Sequence, residues 1–353
     1  MLTSENATCI EAYEINTNIY LHLIWVTSII LCSLSIILSC ILLYLSHQAK
    51  SIHPNLKCFF TNAVLCLILG AFIVTSRSAW FLIKSYVASQ DKCDYLFHSK
   101  VCYFLMEFNL GSDYLISITL LMITGERLFA TMKYATYETY QNLNYFRAMA
   151  TACWVVLFAF IGRAYFTSTR PTFFVRPIQY CHYVSLWGPP RLEPFELAFI
   201  PIGMLFVCIA SGTKYYCKNK ATELRKSNSS EITQKFTIRE NIYCASFFLP
   251  IFLYYNLSVI WVNVWILAYS LINPDYTVIQ FAIQKEASSL IMHIFFIYFN
   301  LYTIFWFRPF KKTILESNIC SVLKITTLFS FHTHQNAVIP LATSDDYFAS
   351  YKW

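Results

Sequence analysis

The chain reads as an all-α membrane protein, a bundle of seven transmembrane helices with a short amphipathic helix after the last span. Three observations predict this. Of 353 residues, 57% are hydrophobic and only 13% charged, where soluble domains carry about a quarter charged. Apolar runs of bilayer length recur along the chain, and none alternates polar with apolar residues as a barrel strand would. Lysine and arginine, finally, are spread very unevenly over the segments between those runs.

The runs lie at roughly 19–45, 58–83, 101–128, 147–168, 195–216, 241–269 and 286–307. Each is too long for a buried core helix and long enough to cross about 30 Å of hydrocarbon. The third, fifth and sixth are the best defined. The seventh has the least distinct start, because Lys285 and Glu286 follow the apolar stretch Tyr276–Ile283. Six or eight spans are the alternative counts.

Orientation follows from the basic residues. The first 49 residues contain no lysine or arginine, whereas Glu5, Glu11 and Glu14 are acidic. Between spans five and six stand Lys214, Lys218, Lys220, Arg225, Lys226, Lys235 and Arg239, and Arg308, Lys311 and Lys312 follow span seven. The positive-inside rule therefore puts the N-terminus outside and the C-terminus in the cytosol. The expected organisation is an extracellular terminus over 1–18, a membrane domain over 19–307, an amphipathic inner-leaflet helix over 308–320 and a cytoplasmic tail over 321–353. Asn6-Ala7-Thr8 then becomes a glycosylation acceptor. The first apolar run lacks a basic start and is too long for a cleaved signal, so it reads as an anchor that stays.

Composition excludes several classes. The net charge of +7 is scattered among apolar spans and forms no patch for nucleic acid. Seven glycines and no Gly-rich phosphate loop leave nucleotide chemistry without a foothold. No Cys-x-x-Cys pair or His/Cys spacing marks a metal site, so neither metal nor cofactor is expected. His22 and His293 lie well inside spans but have no acid three or four residues on, which argues against an intramembrane hydrolase and against an enzyme generally. Lys285 stands at the rim of span seven, not at the midpoint where a retinal Schiff base would need it.

Most of the 13 cysteines sit in apolar runs, where a thiol acts as a small hydrophobe. Cys9, Cys93, Cys102 and Cys181 fall in outer segments, where disulfides persist and three full pairings exist. A bond between Cys102 and Cys181 is favoured, because it would pin the longest outer loop over the mouth of the bundle; Cys9 with Cys93 is left open.

Span three carries the most information. Arg127 lies 25 residues after Cys102, roughly 37 Å along a helix. One rod thus holds a cysteine at one membrane face and Glu126-Arg127 at the other, although an arginine there is also an ordinary cytoplasmic anchor. Charges within spans are costly and mark function by default. Asp113 stands 14 residues from Arg127, and Arg163 stands 16 from Arg147, so their depths match at roughly 21–24 Å. Asp113 is therefore expected to line a buried pocket and to pair with Arg163. Glu107 is matched with Arg77, with snorkelling of Arg77 and exposure of Glu107 as the equal alternative. Asn109 completes the pocket candidates. Pro250 within span six would free a backbone carbonyl and provide a hinge.

Seven spans with Glu-Arg at the inner end of the third look like a G-protein-coupled receptor. Glu126-Arg127-x-x-Ala130-Thr131-x-x-x-x-x-Tyr137-Glu138 resembles the signature of the nematode serpentine chemoreceptors of the Sra superfamily, and the class a and class alpha-beta branch more than class b or e. Asp91-Lys92-Cys93-Asp94 and His53-Pro54-Asn55-Leu56 are similar to that group as well. The resemblance implies a chemosensory receptor in the plasma membrane, in a sensory cilium. It would bind a small molecule in the outer half of the bundle and activate a heterotrimeric G protein through Arg127, with Glu126, Tyr137 and Glu138 in the switch. Asn300 stands where such receptors hold Asn-Pro, and is a second hinge candidate, but Leu301 follows it. No acid occupies the middle of span two, so sodium regulation is not expected. A seven-span ligand-gated channel of the insect olfactory type, with its N-terminus inside, is the alternative, and a transporter the third reading.

Overall fold

The computed structural model describes residues 2–49, 52–87, 91–134, 136–137, 143–167, 178–181, 194–226, 232–273 and 276–316. Among the described residues nine α-helices follow one another: α1 (Leu2–Thr17), α2 (Ile19–Gln48), α3 (Pro54–Val87), α4 (Ser99–Met132), α5 (Leu143–Thr167), α6 (Pro194–Lys226), α7 (Ile232–Ile272), α8 (Val278–Trp306) and α9 (Arg308–Glu316). A 3-10 turn, Lys92–Tyr95, leads into α4. Helices α2 to α8 correspond to the seven apolar runs, each somewhat longer than its run. Five of them (α2, α3, α4, α7 and α8) are long and apolar enough in themselves to cross a membrane. The chain is a multi-pass membrane protein.

Local chemistry sets the helix ends. Asn18 caps α2 by accepting from the backbone N–H groups of Tyr20 and Leu21 at 3.0 and 3.3 Å. Helix α8 begins with a reciprocal capping box. The Thr277 hydroxyl accepts from Gln280 N at 3.3 Å, and the Gln280 side chain accepts from Thr277 N at 3.1 Å. This places the start of α8 eight residues before the 286 read from hydropathy, and carries Lys285 and Glu286 two turns into the helix.

Polar side chains staple the bundle. Asn300 on α8 donates to Ser35 Oγ at 3.3 Å and accepts from Ser39 at 3.1 Å, fastening α8 to α2. Asn62 on α3 bonds Thr119 of α4 at 2.8 Å and accepts from Trp154 of α5 at 2.7 Å. Gly203 on α6 lies so close to Asn256 on α7 that a Cβ would stand 1.3 Å from Asn256 Oδ1. Apolar packing fills the rest, with Phe60, Phe248, Phe295 and Phe299 in the main cluster. A second cluster, around Trp25, Phe81, Phe97 and Ile178, sits at the end where the cysteines meet.

That end is covered. Residues 1–18, read only as an outer terminus, form α1 from residue 2, and Ala12, Ile15 and Asn16 are wholly buried. Cys9 is bonded to Cys93 and Cys102 to Cys181. Phe97 and Ile178 form an antiparallel bridge with bonds of 2.8 and 3.0 Å, which ties the loop before α4 to the one after α5. At the opposite end α9 buries Phe310 against Phe60 and Phe307 at ring separations of 5.3 and 5.0 Å. Residues 317–320, expected to extend that helix, and the tail 321–353 lie outside the described residues.

Candidate functional site

Two polar centres occupy opposite ends of the bundle, and α4 runs between them. At the disulfide end, Arg77 of α3 and Glu286 of α8 form a buried ion pair, with Nη2 2.9 Å from Oε2. The second Glu286 oxygen accepts from the Tyr180 hydroxyl at 2.6 Å. Tyr180 is the residue before Cys181, so the Cys102–Cys181 bond holds its loop against α4 while its phenol reaches α8. Burial, with the Glu286 carboxylate beside it, keeps that phenol well above its usual range, so it stays protonated as a donor.

Beneath this cluster lies a cavity of about 130 Å³ enclosed by α3, α4, α7 and α8. Its polar lining includes Asn109, Asp113, Tyr255, Asn263, Lys285 and His293, and its apolar lining includes Met106, Val262 and Met292. The Ser117 and Tyr255 hydroxyls share a hydrogen bond across its floor, and Tyr255 also donates to Asp113 O at 3.3 Å. Polar side chains outnumber apolar ones in this lining, so the cavity offers a small molecule both hydrogen-bonding groups and hydrocarbon wall.

At the other end Arg127 and Glu126 are 4% and 3% exposed. The guanidinium clasps the carboxylate with Nε–Oε2 at 2.5 Å and Nη2–Oε1 at 2.6 Å, a two-pronged geometry only arginine offers. The Tyr137 hydroxyl donates to Glu126 and accepts from Arg127 Nη2 at 3.1 Å. Its ring lies tilted against His53, 4.3 Å between ring centres, and His53 Nδ1 is 2.9 Å from the phenol oxygen. Arg127 Nη1 reaches α7 at Asn241 Oδ1, 3.3 Å, and Cys244 Sγ, 3.7 Å. Burial lowers the His53 pKa from its usual 6.5, Glu126 opposing and Arg127 adding to the shift. Burial likewise raises that of Tyr137.

Comparison with known proteins gives the family of the chain. The sequence matches the family of serpentine type 7TM GPCR receptor class ab chemoreceptors over residues 6–288. The chain belongs to that family. A relative, serpentine receptor class alpha/beta-14 of Caenorhabditis elegans, is 20% identical over 250 residues, covering 69% of this chain and 61% of the relative. The match thus spans about three fifths of that relative's length. The resemblance read from Glu126 to Glu138 therefore points to the right superfamily, and its alpha-beta branch to the right class.

In this serpentine receptor the expected residues fall as follows. Arg77, Asn109 and Asp113 line the cavity together. Glu107 is half-buried and outside its lining, and it is not the partner of Arg77. The partner is Glu286, which the late start assigned to span seven had set at the membrane rim; the Thr277-x-x-Gln280 cap is the sequence signal that would have corrected it. Arg163 lies on α5 with its side chain outside the described residues, so its expected pairing with Asp113 does too. Glu138 is also outside them, as is the Asn6 side chain. Pro250 lies inside α7 between the Arg127 contacts and Tyr255, and Asn300 is a fully engaged staple. Tyr180 was missed, because nothing in a lone aromatic between spans marks it as a partner of a buried acid; His53 was quoted only within the His53–Leu56 motif, without a role, and its partner is the Tyr137 hydroxyl. Among the described residues no His, Cys, Asp and Glu group is arranged to hold a metal.

Proposed function

We propose that this receptor binds a small molecule in the cavity beside Asp113 and passes the event through α4 to a heterotrimeric G protein at Arg127. The observation that carries the reading is the pairing of a ligand-sized cavity with a buried, self-satisfied Glu-Arg lock on one continuous helix. Asp113 and Arg127 are 14 residues apart in α4, roughly 21 Å. A shift of α4 against α7 stretches the 3.3 and 3.7 Å contacts to Asn241 and Cys244 first, because they cross between the two helices, are long and end on uncharged acceptors. A ligand drives the change only by binding the active arrangement better, by a few kcal/mol.

In this reading the N-terminus, α1 and both disulfides face the outside of the plasma membrane, with Asn6 open to glycosylation, in a sensory cilium. The G protein meets Arg127, Tyr137, Glu138 and the basic residues of α6 and α7, and Pro250 is the hinge. Arg127→Ala is expected to abolish G-protein activation at equal surface expression while ligand binding persists; equal signalling by the variant rules the role out. An epitope on residue 1 reachable only after permeabilisation would reverse the orientation and favour the channel.

A further inference from the structure

The charges around the cavity select among ligands, on the reading that this cavity is the receptor's ligand site. Both oxygens of Glu286 are engaged, one by Arg77 at 2.9 Å and the other by Tyr180 at 2.6 Å. That cluster is neutral as a unit. Lys285, the preceding residue, also lines the cavity, and among the described residues its ammonium has neither an ion pair nor a hydrogen bond. Two more nitrogens on lining side chains, Arg77 Nε and His293 Nδ1, are buried without a hydrogen-bond partner. The remaining lining charge is Asp113, on α4. Met106, Val262 and Met292 provide apolar wall in the same cavity.

We propose that the cavity takes a small monocarboxylate, its anion at Lys285 and its hydrocarbon part on the methionine and valine wall. An unpartnered ammonium in a partly desolvated pocket favours an anion and repels a ligand ammonium. Among the described lining residues Lys285 is the one ammonium, which limits the ligand to one acid group. Size follows from volume. A cavity near 150 Å³ holds benzene, so about 130 Å³ suits a ligand of about six to eight non-hydrogen atoms.

The test uses the purified full-length receptor without G protein and three probes of one chain length: hexanoate, hexylammonium and 1-hexanol. Binding is read as the rise in thermal unfolding midpoint with concentration. Hexanoate is expected to bind wild type at least tenfold more tightly than either other probe, to bind Lys285→Arg comparably, and to lose roughly tenfold or more in Lys285→Met, as for a lost hydrogen bond to a charged group. Lys285→Glu is expected to reverse the preference toward hexylammonium. Should Lys285→Met not fold, the Arg and Glu variants carry the comparison. Preference of wild type for hexylammonium, an unchanged hexanoate affinity in Lys285→Met, or binding of none of the three overturns the inference. Such a result leaves the signalling role of Arg127 standing, whereas hexanoate that binds but never activates a G protein counts against the receptor reading instead.

Discussion

The two ends of α4 hold the same three groups and use them differently. At each, a buried arginine pairs with a buried glutamate, and a tyrosine from a connecting segment donates to the carboxylate. At the disulfide end the arginine and the acid are 209 residues apart and lie on different helices, and the tyrosine loop is covalently tethered. At the arginine end the two charges are sequence neighbours on one helix, the tyrosine follows ten residues after Arg127, and the bonds that leave α4 for α7 go to an amide oxygen and a thiol. The first arrangement welds helices together. The second satisfies its own charges locally, so its link to α7 is left to contacts with uncharged acceptors, the arrangement the proposed switch needs.

This contrast can be broken experimentally. Glu286→Ala leaves Arg77 charged and buried with no partner and is expected to cost about 3–5 kcal/mol, seen as a large drop in unfolding midpoint; the paired change Arg77→Met with Glu286→Leu should restore much of it. A drop no larger than that of a surface substitution would show that the pair does not hold α3 to α8. Next come the tyrosines, each losing a hydrogen bond to a charged group worth about 1.5–3 kcal/mol. Tyr180→Phe should lower the midpoint without raising basal G-protein activity, while Tyr137→Phe should raise basal activity. Equal effects of the two on both readouts would erase the distinction between weld and switch. The smallest effect is titration of His53. With its folded pKa depressed below 6.5 by burial, the unfolded chain binds the extra proton first as pH falls. Its contribution is therefore intact above 6.5 and lost as pH falls through the folded pKa. Wild type should lose more midpoint between about pH 7.5 and 5 than His53→Gln.

The same contrast explains what could be read from the sequence. Glu126-Arg127 and the spans were legible because their information is local: adjacent charges interrupt an apolar run near its end, and hydrocarbon demands long apolar runs. Glu286 was not, since a hydropathy window sees Lys285-Glu286 as the edge of a span and overlooks a capping box of two neutral residues, Thr277 and Gln280. The match of Glu107 with Arg77 rested on depth alone. Depth fixes a residue along a helix axis but not the side it faces, and the side decided for Glu286. Tyr180 is recruited by a tether 79 residues long, which no window over its own neighbours can register.

Asn300 is followed by leucine where a proline would interrupt the backbone, and α8 contains no proline from Val278 to Trp306. Its hydrogen-bond ladder is unbroken, and its amide staple joins it to α2, so this helix works as a strut. Helices α6 and α7 each contain a proline, at Pro201 and Pro250, and they are where bending is cheap. Local bending therefore costs less in α6 and α7 than in α8.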